Sequence, residues 1–428
     1  MRKLLIVMLI LFLAPPVFSY AGTVASRWDI SIGGFVKFDG GWASQGVNGD
    51  YLYASPESIT GNKNVVDEYG NSFMASGETR LNFAIKGPNA WGAKTSAFIE
   101  GDFRQSGAYE GFRLRHAWLK FDWAKTSLLI GQASTKWKGM TTYNVLGISE
   151  LAMAKTNRVP QIMFTTKFTK NWSLSYGIVS QYKSNLAGGS RAPTGIPAAS
   201  NTQRLNDLPF VESELVYKTD TYGKIGPRPL TLAFGGFIGR DKIARRSGVA
   251  GTQWYDDDAN TWGLAFKGFI PVIPEKKGNK AGSLAFTGTI VIGQGSSTER
   301  YPSDVWDAYV RRASITATDF DAANATNSAG WAELTYYFTD SIYASAVYGT
   351  SQWNLSSTIR NDATYMNSNY PRSVQHYVVN LMYDVNQAIR FGVEYTHINT
   401  AYARAQAAGS GGASGSLDVG RVAAWYFF

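Results

Sequence analysis

The chain has no cysteine, which removes disulfides, thiolate metal centres and thioether-linked haem from its possible chemistry. Histidine is scarce: His116, His376 and His397 are far apart, and none stands in a metal spacing such as His-Glu-x-x-His. Long apolar runs are missing too. The longest, Leu4–Leu13, is too short to cross a bilayer as a helix, and no later stretch is long and apolar enough to do so. Also absent are the amphipathic helices and continuous apolar strands of a soluble α/β enzyme. Gly87 to Thr95 resembles a phosphate loop, but Ala93 separates Gly92 from Lys94 and the segment opens a hairpin rather than a helix. These absences lead to the expectation of a protein that is not an enzyme and needs no cofactor or metal.

What is present points to export. Arg2 and Lys3 precede the apolar run Leu4–Leu13, and Ser19-Tyr20-Ala21 offers small residues where a signal peptidase reads. Residues 1–21 are therefore expected to be a cleaved signal peptide, with 22–428 forming one domain. The net charge is +9, two units of it in the leader, and aromatic residues make up 14% of the chain beside 44 glycines.

Apolar and polar residues alternate in stretches of roughly ten residues from Trp28 to the end, a length that crosses the hydrocarbon layer as a tilted strand. Trp28, Ile30, Ile32, Val36 and Phe38 share one face of the first, and Asp29, Ser31, Lys37 and Asp39 the other. Trp262, Leu264, Phe266, Ile270 and Val272 repeat the pattern far downstream. Tight turns and long polar loops separate the stretches alternately, and the last, Leu417 to Phe428, places Val422, Ala424 and Tyr426 on one face before a terminal aromatic. The expected fold is all-β: a transmembrane antiparallel up-and-down β-barrel of about 16 strands, with short periplasmic turns, long extracellular loops and Tyr426 and Phe428 as membrane-insertion signal. Trp42, Trp91, Trp123 and Tyr426 read as girdle residues, and the histidines as ordinary wall or girdle residues. Sixteen strands enclose water, whereas eight or ten enclose side chains.

Candidate functional residues are those of the lumen. Lys94, Ser96, Phe98, Glu100, Asp102 and Arg104 share the face opposite Trp91, Ala93, Ala97 and Ile99 and are placed inward. A symmetric loop sets Asp102 opposite Arg113 and Glu100 opposite Arg115, with Arg80 beside Phe98, while His116 and Lys120 fall on the lipid face. Structural ion pairing and a carboxylate track are both open for this wall, since a guanidinium matches a carboxylate with two parallel hydrogen bonds. The loop from Trp137 to Arg158 carries the apolar patch Val145, Leu146, Ile148, Leu151, Ala152 and Met153. Lys136, Lys138, Lys155 and Arg158 in and beside it stand against Glu150, and it is a candidate to fold inward and narrow the lumen. Asp256, Asp257 and Asp258 are placed in an external loop.

Phe112-Arg113-Leu114-Arg115-His116-Ala117-Trp118 and Leu129-Ile130-Gly131-Gln132, with Gly34 to Asp39, Glu100-Gly101-Asp102-Phe103 and Arg158-Val159-Pro160-Gln161, resemble the DcaP-like trimeric porins. The resemblance implies a sixteen-stranded homotrimer that admits small anionic solutes, dicarboxylates among them, with Arg113 and Arg115 as its basic ladder. Some members carry an N-terminal coiled coil, for which the short interval from Gly22 to the first strand leaves no room. The expected function is a water-filled outer-membrane channel for passive diffusion, with a modest preference for small carboxylates. Its expected partners are anionic or neutral hydrophilic solutes, lipid and lipopolysaccharide, and the barrel-assembly machinery. The alternative is a barrel that sheathes a partner multihaem cytochrome.

Overall fold

The computed structural model describes residues 28–45, 54, 70–104, 111–137, 144–147, 158–180, 202–205, 208–246, 254–294, 309–310, 322–323, 326–354, 371–402 and 414–428. The leader, Lys138, Glu150 and Lys155 lie outside the described residues.

Twenty strands are present: β1 (Asp29–Ala43), β2 (Asn71–Ala75), β3 (Arg80–Lys86), β4 (Lys94–Asp102), β5 (Arg113–Asp122), β6 (Thr126–Ser134), β7 (Arg158–Lys167), β8 (Trp172–Val179), β9 (Thr202–Leu205), β10 (Phe210–Ile225), β11 (Arg228–Arg246), β12 (Trp254–Ile273), β13 (Leu284–Gln294), β14 (Tyr309–Val310), β15 (Ala322–Ala323), β16 (Thr326–Tyr337), β17 (Ile342–Asn354), β18 (Pro371–Asp384), β19 (Ile389–Tyr402) and β20 (Ser414–Phe427). β2 and β3 are two pieces of one stave, both paired with β1, while β9 pairs only with the far end of β11 and β14 with β15. Sixteen antiparallel staves remain, and β1 also pairs with β20, from Phe35 opposite Phe427 to Ala43 opposite Val419, which closes the barrel. The expected fold and strand count hold.

Alternation decides which face each residue takes. Ile32, Val36, Ile238, Ile290, Val379 and Val422 stand on the outside and are all more than half exposed, while Lys37, Asp39, Glu212, Glu333 and His376 on the inner face are buried. A continuous apolar exterior of this kind is stable only against lipid, and closure leaves no backbone group of the wall unpaired there. Trp42, Trp91 and Tyr426 are exposed at the rims, Trp91 stacks on Phe121 at 5.1 Å, and the Trp123 indole donates to the Trp91 carbonyl.

The tight turns lie at the end where β1 begins, and three of them share one chemistry. The Thr169 hydroxyl accepts the N–H groups of Asn171 and Trp172, the Thr339 hydroxyl those of Ser341 and Ile342, and the Asn386 amide oxygen those of Ala388 and Ile389. A short side-chain acceptor at the turn's first corner replaces the partner that the ladder no longer supplies. At the opposite end β11 and β12 run on well past their neighbours, and Asp256, Asp257 and Asp258 pair there with Ala244, Ile243 and Lys242. The acidic triplet is therefore on a strand rather than in a loop, and Asp258 meets Arg240 at 3.1 Å.

Candidate functional site

The inner wall of β3, β4 and β5 carries most of the charged residues expected there. Arg113 pairs with Asp102 through two bonds of 2.8 and 2.6 Å, and Arg115 bridges Glu100 and Asp102 at 2.7 Å each. Arg80 stands opposite Asp102 in the ladder, 3.7 Å from Glu100 and over the Phe35 ring, rather than beside Phe98, whose partner on β3 is Ala84. Lys94 lies exposed at the periplasmic end, opposite Asp122.

Arg115 itself changes the phase of β5. Gly101 pairs with Leu114 and Glu100 with His116, so Arg115 is an extra residue in the ladder, a β-bulge. Arg113 and Arg115 face inward across the outward Leu114, and then His116 faces inward immediately after Arg115. His116 and Lys120 are thus in the lumen, not on the lipid face: His116 sits edge-on to Phe98 at 6.0 Å, Trp118 stacks on Phe98, and Lys120 pairs with Asp122 at 2.7 Å. The strict alternation expected for this strand failed because one inserted residue swaps every later side chain to the other face.

Two residues of the Leu129-Ile130-Gly131-Gln132 segment hold that irregularity. The Gln132 amide donates to the carbonyls of Leu114 and Arg115, which flank the bulge. Gly131 has φ +128° and lies so close to β5 that a Cβ would stand 2.3 Å from the Ala117 carbonyl oxygen. Gln161 acts alike on the next staves, donating to the carbonyls of Ala133, Ser134 and Val159.

A second cluster was not foreseen, because it depends on the break between β2 and β3. There Glu78 leaves the ladder and joins Lys37 and Arg104, at 2.5 Å each. Lys37 also meets Asp39 at 3.0 Å and lies over the Trp425 ring, while Arg421 stands 3.6 Å from Asp39. Charges on the inward face of β1 and β20 were the available signal.

The segment after β6 enters the barrel. At its root Trp137 is buried among Val159, Met163, Val179, Phe210, Phe237, Ala265 and Val291. Glu212 accepts the N–H groups of Lys136 and Trp137, and Lys267, paired with Glu214, donates to the Lys136 carbonyl. Residues 144–147 lie on another sector of the inner wall. Asn144 donates to Glu333 and Thr335, the N–H groups of Leu146 and Gly147 donate to Glu394, and the Leu146 carbonyl accepts from Lys37 at 2.7 Å. Leu146 is fully buried beside Tyr337, Tyr343, Met382 and Trp425. Both described parts of the loop are therefore fixed inside the wall. Glu212, Glu333 and Glu394 were missed because a carboxylate's partner on a distant loop leaves no local pattern.

Arg158, at the start of β7, lies within electrostatic range of Arg80, Arg113, Arg115 and Asp102. Among the described residues no hydrogen bond or ion pair engages its guanidinium. Three arginines of the inner wall, Arg80, Arg113 and Arg115, thus surround two carboxylates, Glu100 and Asp102, with Arg158 within electrostatic range of them. The arrangement can draw anions toward that side, since guanidinium groups beyond those neutralised by neighbours attract carboxylates. Among the described residues no cluster suited to a metal ion is present.

A closed sixteen-stave barrel with an apolar exterior and a loop fixed in a charged lumen defines a membrane-spanning channel fold. No protein-family profile matches the sequence, and no curated protein matches it. Among solved structures the chain is similar to the outer-membrane channel DcaP of Acinetobacter baumannii, at 18% identity and a TM-score of 0.70 over 94% of this chain and 99% of that one. It is also similar to an anion-selective porin from Comamonas acidovorans (9% identity, TM-score 0.54, 94% and 100% covered). The trimer form of OmpT from Vibrio cholerae has 11% identity and a TM-score of 0.50, with 94% and 100% covered. The fold is theirs.

Proposed function

We propose that the protein is a porin of the bacterial outer membrane, a hydrated path for passive diffusion of small hydrophilic solutes with a modest preference for small carboxylates. The observation that carries this reading is the excess of arginine on one wall: Arg80, Arg113, Arg115 and Arg158 against Glu100 and Asp102, with Arg158 lacking a partner among the described residues. The opposing carboxylates Glu212 and Glu394 accept backbone N–H groups of the loop, which offsets part of their charge toward the lumen. A carboxylate brought near Arg158 would meet a guanidinium that no ion pair engages among the described residues. The solved structure described as an anion-selective porin lends the reading support by fold alone.

Homotrimer formation belongs to the same proposal, supported by the likeness to a barrel described as a trimer. No chemistry is assigned to the histidines. The cytochrome-sheath alternative gains no support, because residues 144–147 occupy space on the inner wall that a partner would need.

The test is the reversal potential of the purified protein in a planar bilayer under a salt gradient, parent against Arg113→Ala with Arg115→Ala and against Arg158→Gln. The reading requires an anion-favouring potential in the parent that falls in both variants. A parent that favours cations, or variants that leave the ratio unchanged, would overturn it.

A further inference from the structure

The outer face of the barrel carries a polar groove that the channel reading does not use. It has a volume of about 370 Å3 and lies where β18, β19 and β20 rise toward the extracellular end, lined on the outward face by Ser373, Gln375, Asn399, Ser414 and Ser416 with no ionisable side chain. Strand alternation places it outside: Tyr377 and Val379 on β18, Val393 and Tyr395 on β19, and Val422 on β20 point the same way and are exposed.

Its amides are held from below. The Tyr395 hydroxyl and the His397 Nδ1–H both donate to Asp418, at 2.6 and 2.7 Å. With Nδ1 carrying the proton, His397 Nε2 is an acceptor and takes the NH2 of the Asn399 amide at 3.0 Å, while the Tyr377 hydroxyl donates to the Gln375 amide oxygen at 3.4 Å. With its oxygen occupied, Gln375 keeps an NH2 group that no bond engages among the described residues, and Asn399 keeps its amide oxygen as an acceptor. A neutral amide donor and a neutral amide acceptor, hydroxyls of both capacities and bordering tyrosine rings match a saccharide; phosphate would call for arginine or lysine.

Depth selects the source. The groove's Gln375 and Asn399 stand two residues beyond the Tyr377–His397 pair, about 7 Å at the rise of a strand. The tyrosines mark the headgroup level, and the exposed Val379, Leu381, Val393 and Val422 below them offer an apolar face for acyl chains. We propose that this groove binds the sugar of an outer-leaflet glycolipid, its acyl chains lying down β18 to β20. The proposal rests on the outer-membrane part of the functional reading and not on solute preference.

The probe is a lipopolysaccharide truncated to its inner-core sugars, mixed in detergent with the purified full chain and counted per chain by native mass spectrometry. The comparison protein carries Gln375→Leu and Asn399→Leu. A second variant, Ser416→Trp, fills the groove beside Asn399 while leaving Tyr395, His397 and Asp418 in place. Heat-shifted gel mobility and unchanged conductance certify that each is folded and still a channel, so failure here is separate from failure of the porin reading.

Both variants are expected to bind the glycolipid about tenfold more weakly, the loss of one or two hydrogen bonds to a sugar. Uptake of a phospholipid without sugar should be unchanged, and free glucosamine at millimolar concentration should not compete. Equal glycolipid retention by parent and variants, displacement by phospholipid or by free sugar, or cross-linking of Ser416→Cys to a neighbouring subunit would each overturn the proposal.

Discussion

The Glu394 carboxylate accepts the backbone N–H of Leu146 at 2.7 Å, tying the inner face of β19 to a loop that leaves the wall after β6. The Asn380 amide donates both to that carboxylate and to the Asn144 carbonyl, so Glu394 acts together with Glu333, Thr335 and Lys37 in holding the segment. Glu394→Ala leaves the loop N–H groups of Leu146 and Gly147 without their acceptor, at a cost of about 2–3 kcal/mol to the docked position. Single-channel recording should then show larger and noisier current than the parent. Unchanged, quiet conductance would mean that the loop is held without this carboxylate.

Selectivity should move in opposite directions on two sides of the charge balance. Arg158→Gln removes a guanidinium with no partner among the described residues and should lower the anion/cation permeability ratio roughly twofold. Glu78→Gln weakens the hold on Lys37 and Arg104 and should raise the ratio by a similar factor. Reversal potentials at low salt read both; a shift of the same sign in the two variants would refute the balance.

The bulge at Arg115 makes a stability prediction. Gln132→Leu strips the acceptor carbonyls of Leu114 and Arg115 of their donor and should cost about 1–3 kcal/mol. Gly131→Val adds a branched side chain where φ is +128° and the space ends at the Ala117 carbonyl, so it should be the more damaging of the two. Heat-induced loss of the folded band in semi-native electrophoresis ranks them.

At the seam, Gly34 and Phe428 exchange backbone bonds of 3.1 and 3.2 Å, and a Cβ on Gly34 would meet the Arg80 carbonyl. Gly34→Val should therefore reduce the folded yield sharply, while Phe428→Asp should impair insertion more than it affects the stability of barrels that do form. Pulse-chase folding into vesicles separates these outcomes.

The architecture was largely legible because a period of two is written into every stave: Ile30 to Phe38, Leu264 to Ile270 and Val422 to Tyr426 all obey it. The same rule misplaced His116 and Lys120, since one inserted residue is invisible to a count of alternation unless its partner strand is known. Arg113 opposite Asp102 could be found from loop symmetry. Glu78 could not, because it lies in a gap between two pieces of one stave. Glu212 and Glu394 face loop backbone, and a backbone N–H has no residue identity to recognise. Leu146 was visible as part of an apolar patch, in a loop that the sequence left equally able to fold inward or to cover the barrel mouth.

The pairing of Phe35 with Phe427 sets an order of events. Until β20 arrives, β1 presents a bare hydrogen-bonding edge together with a greasy outer face, the combination most prone to pairing with the wrong chain. No local hairpin can supply the missing neighbour, and contacts this remote in sequence form slowly. The first strand is therefore open to wrong partners until nearly all of the polypeptide has emerged, and the seam with β20 is what removes that hazard.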